Sequence, residues 1–193
     1  MKPPQPKKIP KIHTAHGDER IDDYYWLRDD TRKNPEVISY LEAENKYLES
    51  WFESKNDCRK EIYDELVSFI PPHEVSMKVK YGDYYYFSEI SSDQQYKTYY
   101  REINGNKELV LDVNELAKDL DYFNVASITP SPNNHYIAYA EDLSGRREYN
   151  IKIKNLETGQ IIDESIQRSS GSVVWNKNND TIYYALKDPV TLI

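Results

Sequence analysis

From Asn34 to Ile70 the apolar residues recur at three- and four-residue spacing. Asn34-Pro35 offers a helix cap followed by proline in the first turn. Val37, Tyr40, Leu41, Tyr47, Leu48, Trp51 and Phe52 then predict an amphipathic helix reaching about Ser54. Asn56 or Asp57 is the expected cap of a second helix. Its apolar face would hold Ile62, Leu66, Phe69 and Ile70, and Pro71-Pro72 would stop it.

At His73 the period changes from helical to alternating. Val75, Met77, Val79 and Tyr81 alternate with polar residues, Gly82-Asp83 turns, and "YYYFSEI" continues as a strand. "YKTYYREI" and "KELVLD" flank Asn104-Gly105, a strong hairpin signal. A short helical piece is expected around "NELAK". Further strands are predicted at "HYIAYAED", "REYNIKIKNL", "QIIDESI", "GSVVW" and "DTIYYALK". Tyrosine dominates them, as suits a pleated surface with one half-buried face.

The strand region repeats itself. "SITPSPNNHYIAYAED" lies over "SVVWNKNNDTIYYALKD" so that Ser127 meets Ser172, Ile128 meets Val173, Asn134 meets Asn179, Ile137 meets Ile182 and Tyr139 meets Tyr184. "DYYYFSE" is a looser copy of "HYIAYAE", and "YKTYYREINGN" of "YNIKIKNLETG". Short strands recurring every 40–50 residues or so are the mark of β-propeller blades. The fold class expected is an N-terminal α-helical arm followed by all-β structure, the first two to three blades of an incomplete β-propeller. The expected division is 1–72 for the arm and two helices and 73–193 for the blades. Propellers close with about four to eight blades, so the chain reads as the front of a larger, truncated protein with uncovered sheet edges.

Composition narrows the function classes. A formal charge of −8, with Lys and Arg scattered beyond the first residues, lacks the basic stripe of a nucleic-acid binder, and no nucleic-acid partner is expected. No apolar run is long enough for a membrane span, so no membrane association is expected. "MKPPQPKKIPKI" is basic and proline-rich without an apolar core, which reads as an extended solvated arm rather than a secretion signal, and makes the cytoplasm the default location. The single cysteine, Cys58, allows no internal disulfide and is expected to be a buried or neutral thiol in a helix.

Candidate chemistry is sparse. No G-x-S-x-G elbow occurs, and "SSGSVV" and "DLSGRR" lack its second glycine. His13, His16, His73 and His135 share no ligand spacing, and no HExxH, EF-hand, P-loop or GxGxxG is present. Asp22-Asp23 and Asp29-Asp30 read as solvated turns, Asn179-Asp180-Thr181 as a hairpin turn, and Arg146-Arg147 as part of a loop. No catalytic, substrate-binding or metal-binding residue is assigned, and no cofactor is expected.

"HGDERIDDYYWLRDD" followed by "VISYLEAENKYLESW" resembles the N-terminal signature of the oligopeptidase B branch of the prolyl oligopeptidase family of serine peptidases. Arg28 fits that branch, since prolyl oligopeptidases usually carry an acid there. "DYFNVASITPSPNNHYIAYAEDLSGRREYNIKIKNLETG" is similar to the early propeller of the same family. The resemblance implies a seven-bladed propeller followed by an α/β-hydrolase domain, onto which the N-terminal arm packs. It also implies that the parent cleaves short basic peptides after lysine or arginine. The triad and the acids that recognise a basic side chain would lie in that missing C-terminal α/β-hydrolase domain, and the chain alone is expected to be inactive. Tyr24, Tyr25, Trp26 and Leu27 then become an apolar plug, with Arg20 and Arg28 available to pair with the flanking acids. The alternatives are a non-catalytic propeller-type interaction module, or a piece that complements a separate catalytic chain.

Overall fold

The computed structural model describes residues 2–188, with side chains throughout that range except at 163–165. The last residues of the third repeat copy, from 189 onward, lie outside the described residues. The chain forms two compact units, Met1–Ile70 and Pro71–Ile193.

The first unit opens on a hairpin that the hydrophobic pattern did not predict. Strand β1 (Lys11–Ala15) pairs antiparallel with β2 (Asp18–Asp22) around His16-Gly17, both at positive φ (53° and 87°). Its residues are almost all exposed, so no alternating apolar face marked it in the sequence. A 3₁₀ turn at Tyr25–Leu27 follows. Asp29 then organises the approach to helix α1 (Pro35–Glu53): its carboxylate accepts the amides of Thr31, Lys33 and Asn34 and the Thr31 hydroxyl. Asn34 caps α1 as expected, accepting the Glu36 amide at 3.0 Å, with Pro35 in the first turn. Helix α2 (Asn56–Ser68) corrects the expected cap: the cap position is Lys55, whose side chain makes no capping bond, and Asn56 and Asp57 lie inside the helix. Cys58 is exposed rather than buried, because the apolar face of α2 is itself uncovered. Ile62, Leu66, Phe69 and Ile70 are 53–73% exposed.

The second unit consists of antiparallel meanders. Strands β3 (His73–Val75) and β4 (Val79–Tyr81) both pair with β5 (Tyr84–Ser91), interrupted at Ser76–Lys78, where the Ser76 amide still reaches the Ser88 carbonyl. β5 pairs with β6 (Thr98–Ile103), and β6 with β7 (Asn106–Asp112) through the Asn104-Gly105 turn, both residues at positive φ as this hairpin type requires. Asp112 caps the short helix α3 (Val113–Leu116) by accepting the amides of Asn114 and Glu115. The second sheet runs β8 (Asn124–Pro130), β9 (Tyr136–Asp142), β10 (Tyr149–Asn155), β11 (Ile161–Trp175) and β12 (Ile182–Leu186), each paired with the next.

β11 differs from the sequence-based expectation of separate strands at "QIIDESI" and "GSVVW". It is one fifteen-residue strand whose register breaks on both sides, with Arg168 at φ 62° and Gly171 at φ 93° near the bend. Its first half pairs with β10, and Val173–Trp175 pair with β12. The second half also returns to β8: the Trp175 indole N–H donates to the Thr129 carbonyl at 2.9 Å. The second sheet is thus curled, as suits part of a propeller.

The core follows from alternation along β9, whose residues Ile137–Asp142 are all buried. Ile137 and Tyr139 point to the first sheet, where they pack with Val110, Leu111, Val113 and Phe123. Ala138 and Ala140 point the other way and meet Tyr149, Ile151 and Val173. Large residues on one side and alanines on the other let the flanking layers approach to different depths. A strand buried on both faces is otherwise rare in antiparallel sheets with one wet side.

Candidate functional site

The side chains that first suggested chemistry lie apart. His13 packs its ring 4.8 Å from that of Tyr25, over which the Lys11 ammonium also sits at 3.3 Å. His73 Nδ1 is 3.3 Å from the Ser91 hydroxyl, and His135 Nδ1 is 2.8 Å from a Glu157 carboxylate oxygen. His16 is in the hairpin turn. Only His73 meets a hydroxyl, that of Ser91, and none of the four meets a cysteine or a second histidine in these contacts. Among the described residues, no group of three or more His, Cys, Asp or Glu side chains converges to hold a metal ion. Trp26 is half-buried, donates from its indole to the Lys7 carbonyl at 2.8 Å and meets Tyr40 edge-on. Arg28 pairs with Asp30 at 3.1 Å.

The polar chemistry concentrates instead between the first two sheets. The Arg101 guanidinium, 6% exposed, donates to Glu108 at 2.7 Å and to the Asn134 carbonyl, and lies 4.3 Å from the centre of the Tyr84 ring. Burial acts to lower the Arg101 pKa, but its bonds to Glu108 and Tyr86 outweigh that and hold it charged, above its ordinary value. The Tyr86 hydroxyl donates to Asn134 Oδ1 at 2.9 Å, and burial raises its own pKa. Lys154 crosses from β10 to donate to the Val110 carbonyl at 2.9 Å, with its pKa lowered by burial. A cleft of about 320 Å³ opens beside this seam, lined by Met77, Val79, Tyr81, Tyr99, Ile128 and Pro130 among others.

The "SGRREY" loop is ordered by a residue that the sequence reading passed over. Asp142, fully buried, accepts the Ser144 amide and hydroxyl (2.8 Å each), the Gly145 amide (3.1 Å) and the Arg147 amide (2.8 Å). Burial acts to raise its pKa, yet these donors pull it below the ordinary carboxylate value. Asp followed by Ser and Gly at the next positions but one and two is an Asx-turn pattern, and could have flagged it. Arg101 and Asn134 left no such local mark, since their partners lie 33 and 48 residues away.

No metal centre is assembled among the described residues, so the architecture carries the identification: a helical unit followed by antiparallel meanders of repeated strand and turn order. The family model for the N-terminal β-propeller domain of prolyl oligopeptidase matches residues 3–192. This chain belongs to that family. Among curated relatives it is 36% identical to Protease 2 of Moraxella lacunata and 33% identical to dipeptidyl aminopeptidase BI of Pseudoxanthomonas mexicana, matching 97% and 99% of the chain. Among solved structures, oligopeptidase B from Leishmania major superimposes with a TM-score of 0.88 at 28% identity over 97% of this chain. Oligopeptidase B from Trypanosoma brucei gives 0.85 at 27% identity. The prolyl oligopeptidase family chain spans 28–29% of the length of these relatives. Among the described residues, no helix is long and apolar enough to cross a membrane.

Proposed function

We propose that this chain is the N-terminal portion of a serine-type oligopeptidase resembling oligopeptidase B, and that it has no peptidase activity alone. The observation that carries the reading is the match of nearly the whole chain to less than a third of such enzymes. The arm and helices dock on an α/β-hydrolase domain that supplies the nucleophile, base and acid, while the sheets belong to the propeller. The uncovered apolar face of α2 supports this: Leu66, Phe69 and Ile70 are placed for burial against a partner rather than for solvent. One relative carries the name dipeptidyl aminopeptidase and another Protease 2, so peptide-bond hydrolysis is the shared activity. The resemblance to oligopeptidase B favours cleavage after lysine or arginine.

The test is to assay the purified chain on an arginyl or lysyl amide, alone and co-expressed with an oligopeptidase B hydrolase domain. The chain alone should give background, and the two pieces should co-purify. Clear turnover by the chain alone would sink the proposal, and failure to co-purify would remove the docking role of the helices.

A further inference from the structure

Gly82, Asn134 and Asn179 lie in the turns β4–β5, β8–β9 and β11–β12, all with left-handed backbones at φ 61°, 61° and 67°. They fall at equivalent places in the repeat. The Ser131 amide bonds the Tyr136 carbonyl and the Asn134 amide the Ser131 carbonyl; the Asn176 amide bonds the Thr181 carbonyl and the Asn179 amide the Asn176 carbonyl in the same pattern. These turns also touch one another. Asn179 Oδ1 accepts the Asn133 amide of the preceding turn at 2.8 Å. One step earlier, Asn134 Nδ2 lies 2.5 Å from where a Cβ on Gly82 would be.

We propose that these turns form an asparagine ladder that sets the spacing of neighbouring repeat units: the side chain from each turn's left-handed position seats on the backbone of the equivalent turn before. Position 82 is glycine because its Cβ space is already taken. Asn134 cannot swing aside to make room, since its Oδ1 holds the Tyr86 hydroxyl and its carbonyl holds Arg101. Position 134 keeps a side chain because Asn179 reaches past it to the Asn133 amide. Asparagine suits the upper rungs because it tolerates a left-handed backbone and still offers an amide group. The ladder is independent of the peptidase assignment, since it concerns only how successive repeat units are held in step.

Two measurements on the 193-residue chain test it. In Asn179→Gly the backbone stays at ease but the acceptor is lost, so hydrogen exchange at the Asn133 amide should quicken about fivefold to tenfold. Asn179→Asp keeps an acceptor oxygen in place, and exchange there should stay near the wild-type rate. Equal behaviour of the two variants, whether both protect the amide or both expose it, overturns the upper rung. For the lower rung, Gly82→Ala should lower the urea midpoint markedly in the natural background and much less in an Asn134→Gly background. An equal shift in both backgrounds, or loss of folding in both, means that backbone strain alone dictates the glycine, and overturns it.

Discussion

Asp142 is withdrawn from water, which for a carboxylate would ordinarily weaken a fold. Four donors from the loop that it orders reverse the sign. Asp142→Ala should therefore cost about 3 kcal/mol in urea denaturation, since several charged hydrogen bonds are lost together. Because its pKa is lowered in the fold, the stability it contributes is complete above the ordinary carboxylate value and is lost as pH falls below it. A wild-type stability that fell between pH 5 and pH 2 no more steeply than that of Asp142→Asn would contradict this. Asp29 shows the same chemistry on the surface. Led by the Asn34 amide and the Thr31 hydroxyl, its donors hold its pKa at about 2, below the ordinary 3.8. Its contribution is present above 3.8 and fades as pH falls through about 2, and an NMR titration of its carboxyl carbon should show that midpoint.

Elements whose periodicity was clean were legible in the chain itself. Val37 to Phe52 kept a helical stripe and became α1; Asn34 became its cap, and Asn34→Ala should cost about 1 kcal/mol by thermal melting. The hairpin β1–β2 was not legible because neither face is buried, so no apolar alternation was needed to form it. The bend in β11 escaped for another reason: a change of register leaves the composition of a strand unaltered. Gly171 is the residue that permits it. A Cβ there would stand 2.8 Å from Tyr149 Cδ2 and 3.2 Å from the Ala126 Cβ, on a backbone at φ 93°. Gly171→Ala should cost about 2–3 kcal/mol by urea denaturation, from overpacking and backbone strain together. The α2 face offers the opposite case. Leu66→Ser removes an apolar group already 61% exposed, so the isolated chain should lose no more than about 0.5 kcal/mol. The same change should weaken co-purification with a hydrolase domain if that face is a docking surface.

For the molecule as a whole, the sequence revealed the architecture through repetition. Asn134 over Asn179 and Tyr139 over Tyr184 mark equivalent hairpins, and the turn hydrogen bonds coincide residue for residue. Chemistry was less legible because its determinants are long-range: Arg101 meets Glu108 on the adjacent strand and Asn134 on the next sheet. What distinguishes this family member in the chain is packing, a propeller wall with one strand sealed on both sides. That wall has its own consequence for dividing the protein. The segment after α3, between Leu116 and Asn124, connects the two sheets without belonging to either. A chain opened there leaves every ladder of backbone bonds whole. Ile161–Trp175 allows no such cut, because one continuous backbone finishes one layer and starts the next. Split or circularly permuted versions should reassemble when divided before Asn124 and fail when divided within β11, since the second and third repeat units share that strand.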